Sequence, residues 1–153
     1  MLVEMKIKNN PTTLAAVQKF ERQRDLYLPD SFKAFLILTN GGVPVRPAFP
    51  INGWDNNPIG VVQAFAGIGV SEPTDELAYA YDLYRGGLPK GIVPFAGNGG
   101  GDYVCLDLRN GGEKVVFWDK RHFWGTGEWR EIDLYHVADT FDEFLALLKP
   151  NPY

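Results

Sequence analysis

Phe95-Ala96-Gly97-Asn98-Gly99-Gly100-Gly101-Asp102 runs directly into Tyr103-Val104-Cys105-Leu106-Asp107-Leu108, and after Gly111-Gly112 the chain resumes with Val115-Val116-Phe117-Trp118-Asp119. These are two apolar, strand-like runs, each introduced by glycines. In the first run Tyr103, Cys105 and Asp107 fall on one face and Val104, Leu106 and Leu108 on the other, the alternation of an extended strand. The short connection Arg109–Glu113 has the length and glycine content of a hairpin loop. A glycine-rich loop after a strand invites a phosphate-binding reading. That reading needs a helix after the glycines, whose N–H groups hold the pyrophosphate. Here a strand follows, no Gly-Lys-Ser/Thr is present, and Asp102 sets a negative charge where phosphate would lie. The stretch is therefore read as a turn that needs positive φ, with Asp102 bonding local backbone amides.

Working outward, Gly91–Ala96 reads as a strand that Pro94 keeps away from the sheet centre, since proline cannot donate to the ladder. Downstream, Trp129–Leu134 alternates apolar and polar residues and reads as another strand. The chain closes on Thr140-Phe141-Asp142-Glu143-Phe144-Leu145-Ala146-Leu147-Leu148, in which Thr140 and Glu143 have capping-box spacing and the apolar residues form a stripe. Upstream, Leu2–Ile7 suggests a short edge strand. A helix follows from a Thr cap at Pro11-Thr12-Thr13 to Arg24, with Leu14, Val17 and Phe20 on one face. A second helix starts at Leu28-Pro29-Asp30-Ser31 and stops at Thr39-Asn40-Gly41-Gly42, where Asn and Gly tolerate the left-handed conformation. The proline-rich Val43–Asn57 stretch offers Val45-Arg46 and Phe49–Ile51 as pairing edge strands, with Trp54 in a loop. Ile59–Phe65 reads as one strand, and Leu77, Ala80, Tyr81 and Tyr84 line a third helix begun by Ser71–Glu76. Consecutive strands on short loops pair antiparallel. The expected fold class is therefore α+β, an antiparallel sheet with N-terminal and C-terminal helices packed against it, in a single domain over residues 1–153.

Composition narrows the function. The chain has 153 residues, 45% of them hydrophobic and 22% charged, ordinary values for a globular protein. Its net charge of -4 disfavours a nucleic-acid partner, which a basic face would serve, and suits a basic protein partner. The lone Cys105 sits in a strand, so no intramolecular disulfide forms and a buried inert thiol is expected. No apolar run approaches the ~20 residues of a membrane span, and no signal peptide is evident at the start, so a cytoplasmic protein is expected.

The candidate chemistry is thin. Asp102, Asp107 and Asp119 lie on adjacent strands, and with the tryptophans could in principle run glycoside hydrolysis. Arg109, Lys120 and Arg121 stand nearby, however, which favours ion pairs. His122 and His136 lack neighbours at metal-ligand spacing, so no metal and no cofactor is expected. Lys120-Arg121-His122 reads as a solvated basic turn. Trp124, flanked by Gly125, Thr126 and Gly127, is the tryptophan expected to be exposed.

The block from Leu28 to Leu36 ending in Thr39-Asn40-Gly41-Gly42 resembles the "Leu-Pro, helix, Asn-Gly-Gly" block of the SUKH superfamily. That superfamily includes cell-wall-synthesis regulators of Smi/Knr type and many bacterial immunity proteins. Phe95–Asp107 is similar to its second block, Val115–Asp119 to its next strand, and Ala138–Leu145 to its closing helix. The ordered set covers most of the chain. The resemblance implies an α+β fold, no catalytic residues and no cofactor. It implies an immunity protein that binds and neutralises a polymorphic toxin such as a nuclease, or else a regulatory domain with a non-toxin partner. The matched motifs are structural and carry no contact residues over. The contact residues proposed from charge and exposure are Trp54, Asp75, Glu76, Asp82, Asp102 and Trp124.

Overall fold

A computed structural model describes residues 3–54 and 58–153. Leu2 and Asp55–Asn57, which the sequence assigns to a strand and to the proline-rich stretch, lie outside the described residues. Nine strands are described: β1 (Met5–Lys8), β2 (Gly42–Pro44), β3 (Ala48–Pro50), β4 (Ile59–Val61), β5 (Ala64–Phe65), β6 (Ile92–Gly97), β7 (Tyr103–Asp107), β8 (Lys114–Trp118) and β9 (Leu134–Ala138). The helices are α1 (Leu14–Arg24), α2 (Asp30–Thr39), α3 (Leu77–Tyr84), α4 (Arg121–Thr126) and α5 (Phe141–Leu147). Seven strands form one sheet in the order β1-β2-β5-β6-β7-β8-β9, with every neighbouring pair antiparallel. β3 and β4 make a separate ribbon. The fold is α+β, with helices at both ends of the chain.

The alternation along β7 sorts the molecule into two apolar clusters. Val104 and Leu106 enter the larger core with residues of α1, α2 and α5, and Cys105 enters a smaller one with Ile92, Val116 and Trp118. The larger core is aromatic. Phe32, Phe35, Phe65, Phe95, Phe141 and Phe144 pack against one another, mostly edge to face. Each ring so buried stabilises the fold by roughly 1.5–3 kcal/mol. Cys105 is fully buried, and burial pushes its thiol up, so the thiolate is suppressed.

The helix ends follow the sequence chemistry. Thr13 Oγ1 accepts from the Ala16 amide at the start of α1, and Thr140 Oγ1 from the Glu143 amide at the start of α5. Leu28 is fully buried, and its amide donates to Glu21 at 2.8 Å, which fastens α1 to the start of α2. Asn40 closes α2 with φ of 50°. Its side chain donates to the carbonyls of Asn10 and Ile68 and accepts from the Ile68 amide. At Gly41 a Cβ would run into the carbonyl oxygens of Phe65 and Ala66. The Asn-Gly-Gly block is thus the point where α2, the approach to α1 and the β5 strand end meet.

Four local expectations are corrected. Pro94 lies within β6, the central strand of the sheet. The register slips between Pro94 and Ala96, and a bulge is where a sheet tolerates a missing donor. Ile59–Phe65 is two strands, β4 in the ribbon and β5 in the main sheet. Phe49 pairs with Gly60 of β4 and not with Val45-Arg46. Glu131–Asp133 is a 3-10 turn, because the Arg130 guanidinium folds back on the Asp133 carboxylate at 2.7 and 2.9 Å. Strand β9 begins only after it.

Candidate partner-binding site

β6 and β7 are joined by the glycine loop, whose shape is set by Asn98. Its Oδ1 accepts from the Gly100 amide at 2.8 Å and the Asp102 amide at 3.1 Å. Gly99 and Gly101 carry φ of 81° and 99°, which a side chain would resist. The turn with positive φ is present as expected, but Asn98 performs the local capping assigned to Asp102. The Asp102 carboxylate instead reaches across to β8's end and accepts from the Lys120 amide at 2.9 Å.

Between this loop and the turn leading into α3 lies a groove of about 230 Å³. Small residues of β5, β6 and α3, among them Ala64, Ala80, Ala96 and Gly97, leave its floor open. Asp75, Glu76 and Asp102 line it. Burial pushes the Asp75 carboxyl up, and the neighbouring Glu72 charge adds to this. Burial likewise pushes Asp102 up, with Asp119 adding to it, although the amide of Lys120 and the side chain of Asn98 pull the other way. Both are carboxylates that pay for partial desolvation.

Lys120 is the residue the sequence reading missed. Read there as part of a solvated turn, it is only 2% exposed. Its ammonium donates to the Tyr84 hydroxyl at 2.6 Å and lies 4.6 Å over the Tyr84 ring, 5.0 Å over Tyr103 and 4.9 Å over Trp124. Three aromatic faces attract the buried cation. Burial, reinforced by Tyr84, pushes the Tyr103 phenol up to about 12, so it stays neutral. The signal for this arrangement was a lysine set between Trp118-Asp119 and Phe123-Trp124. α4 carries Trp124 outward at 72% exposure, while Phe123 packs edge-on against Trp118 and Tyr84. The Trp124 indole nitrogen stands 3.9 Å from the position a Gly101 Cβ would take. The exposed ring is thus seated beside the acid-lined groove by a cation beneath it.

Of the six candidate contact residues, Asp75, Glu76 and Asp102 share this groove and Trp124 stands at its glycine-loop rim. Glu76 also has a structural duty, accepting from the Gly69 and Val70 amides. Asp82 lies outside the groove, exposed, in a two-point ion pair with Arg24 at 2.7 and 3.0 Å. Trp54 is half-buried against Phe117, with its indole donating to Asp119 at 3.0 Å.

The carboxylate trio weighed for glycoside hydrolysis is dispersed in character. Burial raises Asp107 and Asp119, but hydrogen bonds from Arg109 and from Arg121 outweigh it and hold both below the usual carboxylate range. A general acid needs the opposite shift. Among the described residues no group of three or more His, Cys, Asp or Glu could hold a metal ion. No described helix is long and apolar enough to cross a membrane.

The SMI1 / KNR4 family (SUKH-1) has a model that matches residues 11–147, from the approach to α1 through the end of α5. A protein of Bacillus subtilis (strain 168), described as SPbeta prophage-derived uncharacterized protein YokK, is 31% identical over 84 residues. That stretch is 55% of this chain and 40% of the relative, so the chain matches less than half of the relative's length.

Proposed function

Because the chain belongs to the SMI1 / KNR4 family (SUKH-1), we propose that it is an immunity-type protein: a non-catalytic cytoplasmic domain that binds a cognate toxin and occludes its active surface. The observation that carries this reading is Trp124, 72% exposed yet held in place by Lys120 beside the groove of Asp75 and Asp102. Exposed tryptophans that are already fixed lose little entropy on binding, and tryptophan is among the residues that dominate interface energies. Partly desolvated carboxylates beside it favour a basic partner such as a nuclease, whose nucleic-acid site is cationic. Should the reading frame beside this chain's gene encode a toxin domain, that domain is the partner to test. Co-expression should restore growth to cells producing that domain. Lack of both protection and binding would remove the immunity reading. If the neighbouring frame encodes no toxin and a purified partner proves to be a host regulatory protein, the regulatory reading replaces it.

A further inference from the structure

α3 turns one face away from the core, and that face is apolar at its centre and acidic at its margin. Tyr79 and Leu83 are 41% and 58% exposed and stand one helical turn apart. With Val70, Pro73 and Ala78 they form one shallow depression, and Glu76 and Asp82 edge it. A lone exposed leucine needs no explanation, but a contiguous apolar cluster with a charged rim marks a contact surface. The rim is fixed in advance. Glu76 Oε1 accepts from the Gly69 and Val70 amides, and Arg24 grips Asp82 at two points. Glu76 also lines the groove of Asp75 and Asp102, so the two surfaces are continuous.

We propose that the outer face of α3 is a docking surface for a basic protein segment, which sets an apolar side chain between Tyr79 and Leu83 and carries Lys or Arg at its flanks. This rests on the reading of the protein as a partner-binding domain and adds the partner's chemistry to it. Charge decides the occupant. Glu72, Asp75, Glu76 and Asp82 outnumber the cations Arg24 and Arg85, and since Arg24 and Asp82 pair with each other, three carboxylates stand against Arg85. A second copy docked face to face would bring its own acidic rim against that of the first. An anionic membrane would meet the same carboxylates.

The test uses the full chain, isotopically labelled, titrated by NMR with two synthetic amphipathic helices of one leucine pattern, one with lysine and one with glutamate at the polar positions. The lysine peptide should move the amides of Val70, Tyr79 and Leu83, with affinity falling about tenfold from low to high salt. The glutamate peptide should leave them in place. Leu83→Ser, at an exposed position that leaves the fold intact, should weaken the lysine peptide at least tenfold. Equal response to both peptides, shifts centred elsewhere, indifference to Leu83→Ser, or self-association through this face would each overturn the proposal. Peptide binding without toxin protection would remove the immunity reading and keep the surface. Protection that Leu83→Ser does not weaken, together with a silent peptide titration, would remove the surface alone.

Discussion

Lys120 shows how one side chain can join stability to display. Its ammonium is buried, and its stem and charge are matched by Tyr84, Tyr103 and Trp124. Lys120→Met should cost on the order of 1–3 kcal/mol in urea unfolding, because the Tyr84 hydroxyl loses its partner. Trp124 should also become more mobile, seen as lower fluorescence anisotropy. Asp102 predicts the opposite balance. Its carboxyl is raised by burial, so the folded state binds the proton more tightly than the unfolded chain, and ionisation at neutral pH works against folding. Asp102→Asn keeps an oxygen for the Lys120 amide and should raise the urea midpoint at neutral pH while weakening partner binding. The gain should shrink as pH falls through the raised carboxyl value and vanish below the ordinary carboxylate value. Asp107 and Asp119 are depressed, so their contribution is present above the ordinary carboxylate pKa and is lost as pH falls through their lower folded values. Stability measured against pH should therefore decline below about 4. Asp119→Asn should make that decline shallower.

At the scale of elements, the helix ends carry the fold's most specific contacts. Asn40 is fully buried in a left-handed conformation and joins α2 to the Asn10 and Ile68 segments. Asn40→Ala should cost on the order of 3 kcal/mol, from stranded backbone groups and backbone strain together. Asn40→Gly should recover only the strain, which chemical denaturation would separate. The sequence displayed these elements because caps and breakers act locally: Thr13, Pro29, Asn40 and Thr140 each do at the backbone what their residue type suggests. It concealed the elements that tertiary contacts decide. Pro94 sits in a central strand because a bulge absorbs it, which only the pairing of β6 with β7 reveals. Trp129–Leu134 alternates like a strand, yet the Arg130–Asp133 pair bends it into a turn and leaves Ile132 exposed. Lys120 looked solvated because its partners Tyr84 and Tyr103 are distant in sequence.

For the whole molecule, the α+β class was legible from the order of helices and strands, and so was the strand that follows the glycines. The grouping of Asp75, Glu76 and Asp102 was not, because it depends on α3 lying over β6. Charge is the property that acts at this scale. With a net charge of -4 and carboxylates about the groove, association with a basic protein partner should be fast at low salt and slow markedly as salt rises. The central claim is that Trp124 and its acidic groove are where a partner binds. It is tested most directly by calorimetric titration of the partner that co-expression identifies into the wild-type protein and into Trp124→Ala. The account predicts tight binding by the wild type and a loss of about 2 kcal/mol or more in the variant, roughly thirtyfold, with both free proteins fully folded at the temperature of the titration. Equal affinity of the two proteins would contradict it.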